Sequence, residues 1–470
     1  MNGWKDLFRS EGAMLLAVYG SGIWLFAADG LMVATLMPVI VPDLGGAELI
    51  GWAGALFQAF SIVAGAFSVF LARKWTISRA FLFNVGGLIV GCLISATAQD
   101  MLVFQIGRLF QAFCGGALVS LAYIGITRAF VPALRVRAFA TTSLIWGAAA
   151  FGAPLIGAAF AEFSGWRTAF YYAAAIAVAV GIAAIFAYRR DRNNEVGELE
   201  VSTERFPLVR MILITLGVSL IATASLIADT FVALMLIGAG VVASILYGWR
   251  DRISGPAALL PASAYSLTTP IGAMSAFIFF GSMATVAMGV FGPIILADAY
   301  HLPPLTIGYL LFLAAAGWTL TAAILSGVAS HQEPMVIRIA AIVIVLSSPV
   351  ITLGFAMDNL WLIGVGLFMD GAGFGACWGL LLRRSTQHPD VQENARISSA
   401  VNTIQRAGLA LGAAFMSVLC NRLGFSDHMT PEVARSVGFW VMLASSLFGI
   451  PALYAAMRFA RVPEDAIHAV

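Results

Sequence analysis

The chain has 470 residues, of which 60% are hydrophobic and only 11% charged, and its formal net charge is +2. About a quarter of the residues in a soluble domain are charged, so this composition excludes an ordinary soluble protein and indicates an integral membrane protein. The basic residues stand in short clusters such as Arg73 with Lys74, a pattern that gives no footprint for nucleic-acid binding.

Fourteen apolar stretches predict membrane-spanning helices, because a span needs about 20 mostly apolar residues. They centre near residues 15–41, 49–71, 80–98, 102–124, 139–161, 168–188, 211–227, 231–248, 270–297, 306–328, 339–357, 360–382, 398–419 and 437–457. The chain is therefore predicted to be an all-α integral membrane protein. The first stretch is too long for a cleaved signal peptide and contains Asp29, so we expect it to remain as the first span.

The distribution of the basic residues predicts the orientation. With the N-terminus placed in the cytoplasm, all but five of the 26 Lys and Arg residues lie in cytoplasmic segments. The exceptions are three residues in outer loops and two within spans, namely Arg167, Arg422, Arg435, Arg108 and Arg406. By the positive-inside rule, we expect a multi-pass protein of the cell (inner) membrane with both termini in the cytoplasm.

The longest polar stretch divides the spans into two groups. We predict an N-terminal six-helix bundle over residues 1–190, a cytoplasmic linker over 191–210, an inserted transmembrane hairpin over 211–250, a cytoplasmic connector over 251–269, and a C-terminal six-helix bundle with its tail over 270–470. Two pseudo-symmetric halves of this kind are typical of transporters built from internal repeats.

Four ionisable residues lie at membrane depth, namely Asp29, Arg108, Asp370 and Arg406. A charge that faces lipid costs roughly 2.5–3.5 kcal/mol on an insertion scale, so we expect all four to face the protein interior. At 1.5 Å per residue, Asp370 and Arg406 are predicted near mid-bilayer and able to meet. Asp29 and Arg108 are offset by about two turns, a gap that a long side chain or a water could partly close.

Two interpretations of these charges stay open. They are either static salt bridges that specify helix packing, or proton-coupling groups. A buried carboxylate releases or binds a proton when a neighbouring guanidinium approaches or leaves, and this behaviour is what a proton-coupled carrier requires.

The uncharged polar and aromatic residues of the spans supply candidates for substrate binding. They are Trp24, Gln58, Gln111, Trp146, Trp318, Trp378, Asn402 and Gln405. The amides could equally bond a neighbouring helix, and the aromatics could face lipid. The four cysteines have unrelated spacings, which predicts packing roles and neither a disulfide nor a metal site.

Several motifs are similar to those of the major facilitator superfamily, and within it to the fourteen-helix drug:proton antiporters. The segment from Ala28 to Ile40 resembles the first-helix motif, with Asp29 and Pro38 in the expected places. Arg108 and Gln111 match an Arg-x-x-Gln-Gly motif in which Ala112 replaces the usual Gly. The likeness covers nearly the whole chain and implies a proton-driven exporter.

The fifth span carries the most specific resemblance. It looks like the antiporter motif Gly-Pro-x-x-Gly, here written as Gly152, Ala153, Pro154 and Gly157, and it continues into a Trp-Arg-x-x-Phe signature. Proline removes a backbone donor and kinks a helix, while glycines allow close packing. The conformational switch is therefore assigned to Gly147, Gly152, Pro154 and Gly157.

One departure from the superfamily concerns the loop after the second span. The family pattern carries an Asp there, and this chain has Arg73, with Lys74 and Arg79 following. We expect the cytoplasmic gate to use these three cationic residues and helix-terminus contacts instead of an acidic interlock.

These patterns predict a proton-coupled antiporter that exports amphipathic small molecules by alternating access, of the multidrug-efflux type. Export of one endogenous metabolite, such as a siderophore, a lipid or a peptide, stays open, as does a non-transporting membrane receptor or scaffold. No nucleotide loop, metal cluster or nucleophile with a base is visible, so no enzyme activity and no cofactor are expected. The expected partners are a small-molecule substrate, protons and the lipid bilayer; we expect a monomer, and a periplasmic adaptor stays open.

Overall fold

The structure is a computed structural model that describes Leu7 and residues 12–190, 206–255, 258–325, 327–385 and 391–461. These residues form fifteen α-helices and no strand. The helices are α1 (Ala13–Leu44), α2 (Ile50–Lys74), α3 (Ile77–Thr97), α4 (Met101–Ala129), α5 (Pro132–Phe163), α6 (Trp166–Arg190), α7 (Leu208–Ala224), α8 (Thr230–Arg252), α9 (Pro270–Val290), α10 (Gly292–Tyr300), α11 (Pro304–Leu325), α12 (Glu333–Ala356), α13 (Leu360–Ser385), α14 (Val391–Arg422) and α15 (Pro431–Phe459).

Thirteen of the described helical segments are long and apolar enough to cross a membrane. The predicted span near residues 211–227 corresponds to α7, which has 17 residues and is the shorter apolar helix of the set. The all-helical membrane architecture is thus confirmed, whereas fourteen complete spans stay a prediction.

Side-chain caps fix where several helices begin. Asp100 accepts a hydrogen bond from the Val103 backbone N–H at 2.8 Å and starts α4. Asp229 does the same for Val232 at 2.9 Å and starts α8. A side-chain oxygen at this position satisfies a backbone donor that the first helical turn leaves unpaired. Short polar turns thereby set the helix register that places the buried charges.

The chain divides into two compact units, and the first comprises residues 1–45 and 60–208. Within it α1 packs against α4, α5 and α6, and α3 packs against α4 and α6. Small residues bring these helices together: Gly107 of α4 lies directly against Ser95 and the backbone of α3. Close backbone approach through small residues is the usual mode of helix packing in lipid.

The second unit comprises residues 46–59 and 209–470. Here α9 packs against α14 and α15, α12 packs against α13 and α15, and α11 packs against α13. Gly371 of α13 abuts the backbone carbonyl of Ala314 on α11, and Gly375 abuts that of Trp318. This glycine ladder fixes α13 tightly to α11.

The α7–α8 pair belongs to the second unit. Gly217 of α7 and Gly240 of α8 let the two helices touch, since a methyl group on Gly240 would lie 2.7 Å from the Gly217 carbonyl oxygen. One end of the pair is held by Arg422 at the end of α14, whose guanidinium donates to the carbonyl oxygens of Ile227 and Ala228, each at 3.1 Å.

Candidate functional site

Asp29 of α1 and Arg108 of α4 form a buried ion pair in the first unit. Arg108 Nη1 lies 2.6 Å from Asp29 Oδ2, and the two side chains are 8% and 4% exposed. Arg108 also donates to the amide oxygen of Gln111, whose Nε2 lies 3.3 Å from Ser95 Oγ. The sequence placed Asp29 and Arg108 about two turns apart, yet the structure joins them directly.

The tight contact between α1 and α4 explains the direct pairing. Gly115 of α4 faces the ring of Phe26, and Gly22 of α1 faces Leu118, so the two backbones approach closely. Asp29 Oδ1 is buried and accepts no hydrogen bond among the described residues. The carboxylate therefore has one oxygen on the guanidinium and one oxygen with spare acceptor capacity.

The predicted pairing of Asp370 with Arg406 is wrong. No ion pair joins them in the part of the chain that the structure describes, and Asp370 Oδ1 is buried without a hydrogen-bond partner. Arg406 Nη1 instead donates to Gln58 Oε1 at 3.3 Å. The physical reason is topological, because α13 packs on α11 and α12 while α14 packs on α9. The consecutive helices α13 and α14 therefore share few contacts, and Asp370 and Arg406 lie on different helix pairs.

Aromatic rings lie on the same helix face as Asp370. Phe374 and Trp378 follow it at intervals of four residues, which places all three side chains on one face of α13. Trp318 of α11 stacks nearly parallel to Phe374, with ring centroids 6.0 Å apart and 17° between planes. Its centroid lies 5.7 Å from that of Trp378. We call Trp318, Phe374 and Trp378 the aromatic column.

The other predicted substrate residues are distributed over both units. In the first unit Trp146 of α5 meets the ring of Phe26 edge-on, with centroids 6.3 Å apart, and its Nε1 lies 3.4 Å from Tyr123 Oη. Trp24 of α1 is half-buried and faces Gly152. In the second unit Asn402 is exposed and Gln405 half-buried, both on α14.

Three of the four glycine and proline residues assigned to the conformational switch contact α1, namely Gly152, Pro154 and Gly157. Gly157 leaves no room for a side chain, since a methyl group there would lie 2.5 Å from the Met32 carbonyl oxygen. Gly147 has open space, and a methyl group on Gly152 would meet only the edge of Trp24, at 3.7 Å. Pro154 lies inside α5. Gly157 is therefore the packing contact of the set.

The cationic loop after α2 is only partly described. Lys74 ends α2 and Arg79 lies in the first turn of α3, and both side chains are exposed. The side chain of Arg73 lies outside the described residues. The contacts proposed for this loop stay a prediction.

A buried network around Asp251 escaped the sequence analysis. Asp251, at the end of α8, is fully buried and pairs with Arg210 of α7 at 2.6 Å. It also accepts hydrogen bonds from the backbone N–H groups of Leu259 and Leu260 and from Tyr265 Oη, at 2.8 to 3.0 Å. Both charges stand at the ends of predicted spans, where hydropathy does not distinguish a buried charge from a solvated loop charge.

A second missed cluster lies where α12 begins. Glu333 is 1% exposed and pairs with Arg383 at the end of α13. The neighbouring Arg384 lies 3.9 Å from the other carboxylate oxygen and covers the ring of Phe459 at 5.4 Å. Charges of opposite sign at the same predicted depth were the available signal. No group of three metal-ligating side chains occurs in the described part of the chain.

Comparison with known proteins agrees with the helical fold. A probable multidrug-efflux transporter of Mycobacterium tuberculosis is 25% identical over 439 residues, which cover 89% of each chain. The multidrug efflux pump SdrM of Staphylococcus aureus is 23% identical over 405 residues, covering 84% of this chain and 87% of that one. Among solved structures, a mutant of the peptide transporter POT with bound alafosfalin has a TM-score of 0.70 at 15% identity, and the match covers 96% of this chain and 95% of that one.

The family model agrees in extent with these relatives. The model described as Major Facilitator Superfamily matches residues 19–413. That range includes both members of the buried Asp29–Arg108 pair, the aromatic column and the glycine contact between α1 and α5. The chain belongs to the Major Facilitator Superfamily of membrane transporters.

Proposed function

We propose that the protein is a proton-coupled antiporter that exports amphipathic small molecules, of the multidrug-efflux type and the fourteen-helix branch. The relatives named as multidrug-efflux transporters support the substrate class. The observation that carries the proposal is the buried pair of Asp29 and Arg108. A carboxylate and an arginine inside membrane spans cost free energy, and such residues often belong to proton relays in transporters.

The chemistry of this pair suits proton exchange. A carboxylate beside a guanidinium releases its proton readily, and it binds a proton more strongly when the guanidinium leaves and the site stays dry. Gln111, three residues away on the same helix, is a second acceptor that Arg108 contacts at the same time as Asp29. A shift of Arg108 from Asp29 towards Gln111 would raise the proton affinity of the carboxylate. Such a shift, linked to alternating access, would couple proton entry to substrate exit.

The topology that goes with this function is part of the proposal. We infer fourteen spans, with α7 as a short seventh one, the α7–α8 pair as a hairpin inserted between two six-helix bundles, and both termini in the cytoplasm of a cell with an inner membrane. The basic residues of the cytoplasmic segments support this orientation.

Transport into proteoliposomes under an imposed pH gradient tests the coupling. We expect Asp29→Asn to abolish uphill transport and to leave membrane insertion intact. Asp43→Asn is the matched control, because Asp43 also lies on α1 and pairs with an arginine at 2.6 Å, but its side chain is 46% exposed. Concentrative transport by Asp29→Asn at the wild-type level would exclude Asp29 as the coupling acid.

A further inference from the structure

Asp370 is half-buried, and it differs from Asp251 and Glu333, the buried acids of the second unit, in having no cationic partner among the described residues. Asp251 pairs with Arg210, and Glu333 pairs with Arg383. Asp370 has no ion pair among the described residues, and its Oδ1 is buried without a hydrogen-bond partner. A carboxylate oxygen that is buried usually has a donor or a compensating charge, because its desolvation is costly. The missing charge points to a ligand.

The surroundings of Asp370 indicate what kind of ligand would complete it. Phe374 and Trp378 continue its helix face towards the end of α13, and they extend about 12 Å from it at 1.5 Å per residue. Trp318 stacks alongside this face. Both tryptophans are half-buried, so part of each indole is still accessible. Aromatic faces attract cations, and tryptophan does so most strongly.

The packing around this face holds the groups in place. Gly317 of α11 lies against the backbone of α13 at Phe368 and Ala372, and Thr321 Oγ1 of α11 donates to the Ala372 carbonyl oxygen at 2.8 Å. Gly281 of α9 lies beside Phe374, since a methyl group on Gly281 would make an ordinary van der Waals contact of 3.6 Å with the edge of that ring. The packing of α11 on α13 thus holds the acid and the aromatic column in fixed positions along one helix face.

We propose that Asp370 and the aromatic column form the recognition site for a lipophilic organic cation. The positive centre of the ligand lies at the carboxylate of Asp370, and its apolar rings pack on Trp318 and Trp378. This inference rests on the proposed export function and narrows its substrate class. It also gives the two membrane acids different tasks, since Asp29 handles the proton and Asp370 the charge of the substrate.

Equilibrium binding to the purified full-length protein in detergent tests the assignment. The probes are tetraphenylphosphonium, a lipophilic cation, and triphenylphosphine oxide, a neutral compound with the same aryl groups. We expect Asp370→Asn to weaken tetraphenylphosphonium binding by about tenfold or more and to change binding of the neutral probe by less than about twofold. Trp378→Leu should weaken both probes, because it removes surface that both of them contact.

Two variants serve as controls. Asp370→Glu keeps the charge and should retain most of the tetraphenylphosphonium affinity. Asp358→Asn removes an exposed acid of the same unit that pairs with Arg435 at 3.1 Å, and it should leave both affinities unchanged. Asn also tolerates the left-handed backbone of Asp358, whose φ is 53°. The proposed site would be excluded if Asp370→Asn lost affinity for both probes equally or kept its affinity for the cation. It would also be excluded if the wild-type protein bound neither probe.

A second measurement covers the case in which Asp370→Asn fails to fold. A hydrophobic carbodiimide modifies protonated carboxyl groups in membranes, and peptide mass spectrometry reads its addition at Asp370 in the wild-type protein. We expect tetraphenylphosphonium to protect Asp370, and equal modification with and without the cation would argue against the site. Neither the binding assay nor the labelling experiment uses a proton gradient. A failure of cation recognition can therefore be distinguished from a failure of proton coupling.

Discussion

Thr35 of α1 donates a hydrogen bond to the carbonyl oxygen of Pro154 on α5, 3.1 Å away. The contact ties the helix that carries the buried acid to the one whose proline interrupts the backbone hydrogen bonds. Gly157 lies one turn further along α5 and packs against the same Thr35. The crossing of α1 and α5 is thus a polar contact next to a glycine contact, and it adjoins the helix segment of Asp29.

We expect Gly157→Ala to disturb this crossing. A methyl group at Gly157 would lie 2.5 Å from the Met32 carbonyl oxygen and would have to displace backbone. Overpacking of this kind typically costs about 1–3 kcal/mol. The turnover in proteoliposomes should fall, while equilibrium affinity for substrate should change little. Gly147→Ala is the control, because nothing lies within 4 Å of its added methyl group. If Gly157→Ala instead lost substrate affinity and kept a normal turnover, α5 would line the substrate site and would not act in the conformational switch.

A double-mutant cycle should detect the coupling between Asp29 and Arg108. Removal of one partner from a buried pair typically costs about 3–5 kcal/mol, so Asp29→Asn and Arg108→Gln should each destabilise the protein, and the double variant should lose less than the sum. The same cycle on the exposed Asp43–Arg167 pair should give a coupling of about 0–1 kcal/mol. Thermal unfolding in detergent provides the measurement, and strictly additive effects at Asp29 and Arg108 would contradict the ion pair.

Removal of the Asp251 carboxylate should release one end of the α7–α8 pair. Asp251→Ala removes the carboxylate that pairs with the buried Arg210 and that accepts hydrogen bonds from two backbone N–H groups, so we expect a loss of about 3–5 kcal/mol. Tyr265→Phe removes a single hydrogen bond and should cost about 0.5–1.5 kcal/mol. Tyr309→Phe, at an exposed tyrosine, should stay within about 0.5 kcal/mol of wild type. Wild-type melting of Asp251→Ala would show that the network carries no stability.

Asp298 should make stability depend on pH. Burial raises the pKa of this carboxyl above its ordinary value of 3.8, although a hydrogen bond from the Met429 backbone N–H opposes the shift. Because the folded state then holds the proton more tightly than the unfolded state, the contribution of Asp298 is most favourable below pH 3.8 and is lost as pH rises through the raised pKa. Asp298→Asn should lack this loss. The melting temperature of the variant should therefore rise relative to that of wild type as the pH increases from 3.8 through the raised pKa. If the melting temperatures of the variant and the wild type changed with pH in parallel, the raised pKa of Asp298 would be contradicted.

The spans were predictable because twenty consecutive apolar residues have few alternatives to a membrane helix. The burial of Asp29 and Arg108 was also predictable, since a charge at that depth cannot face lipid without cost. The ion-pair partner of each charge was not predictable, as the wrong pairing of Asp370 with Arg406 demonstrates. Estimated depth gives a position along the membrane normal, while the pairing depends on which helices are neighbours in the bundle.

The network of Asp251 shows a second reason why sequence reasoning falls short. Its members are Arg210, Asp251 and Tyr265, which come from two span ends and a connector. Charges near span ends look solvated in a sequence because hydropathy reports composition and not burial. The pairing depends on the fold, in which the connector residues Leu259, Leu260 and Tyr265 bind Asp251 at the ends of α7 and α8.

The anchoring of the α7–α8 pair makes it a place for a spectroscopic reporter. Arg422 holds the turn at one end, the Asp251 network holds the other, and Phe231 of α8 is 72% exposed. All four native cysteines are buried, so a thiol-reactive dye would favour an introduced cysteine. A dye on Phe231→Cys would therefore move with the second unit and could record its motion in single molecules without altering the residues proposed to bind proton or substrate.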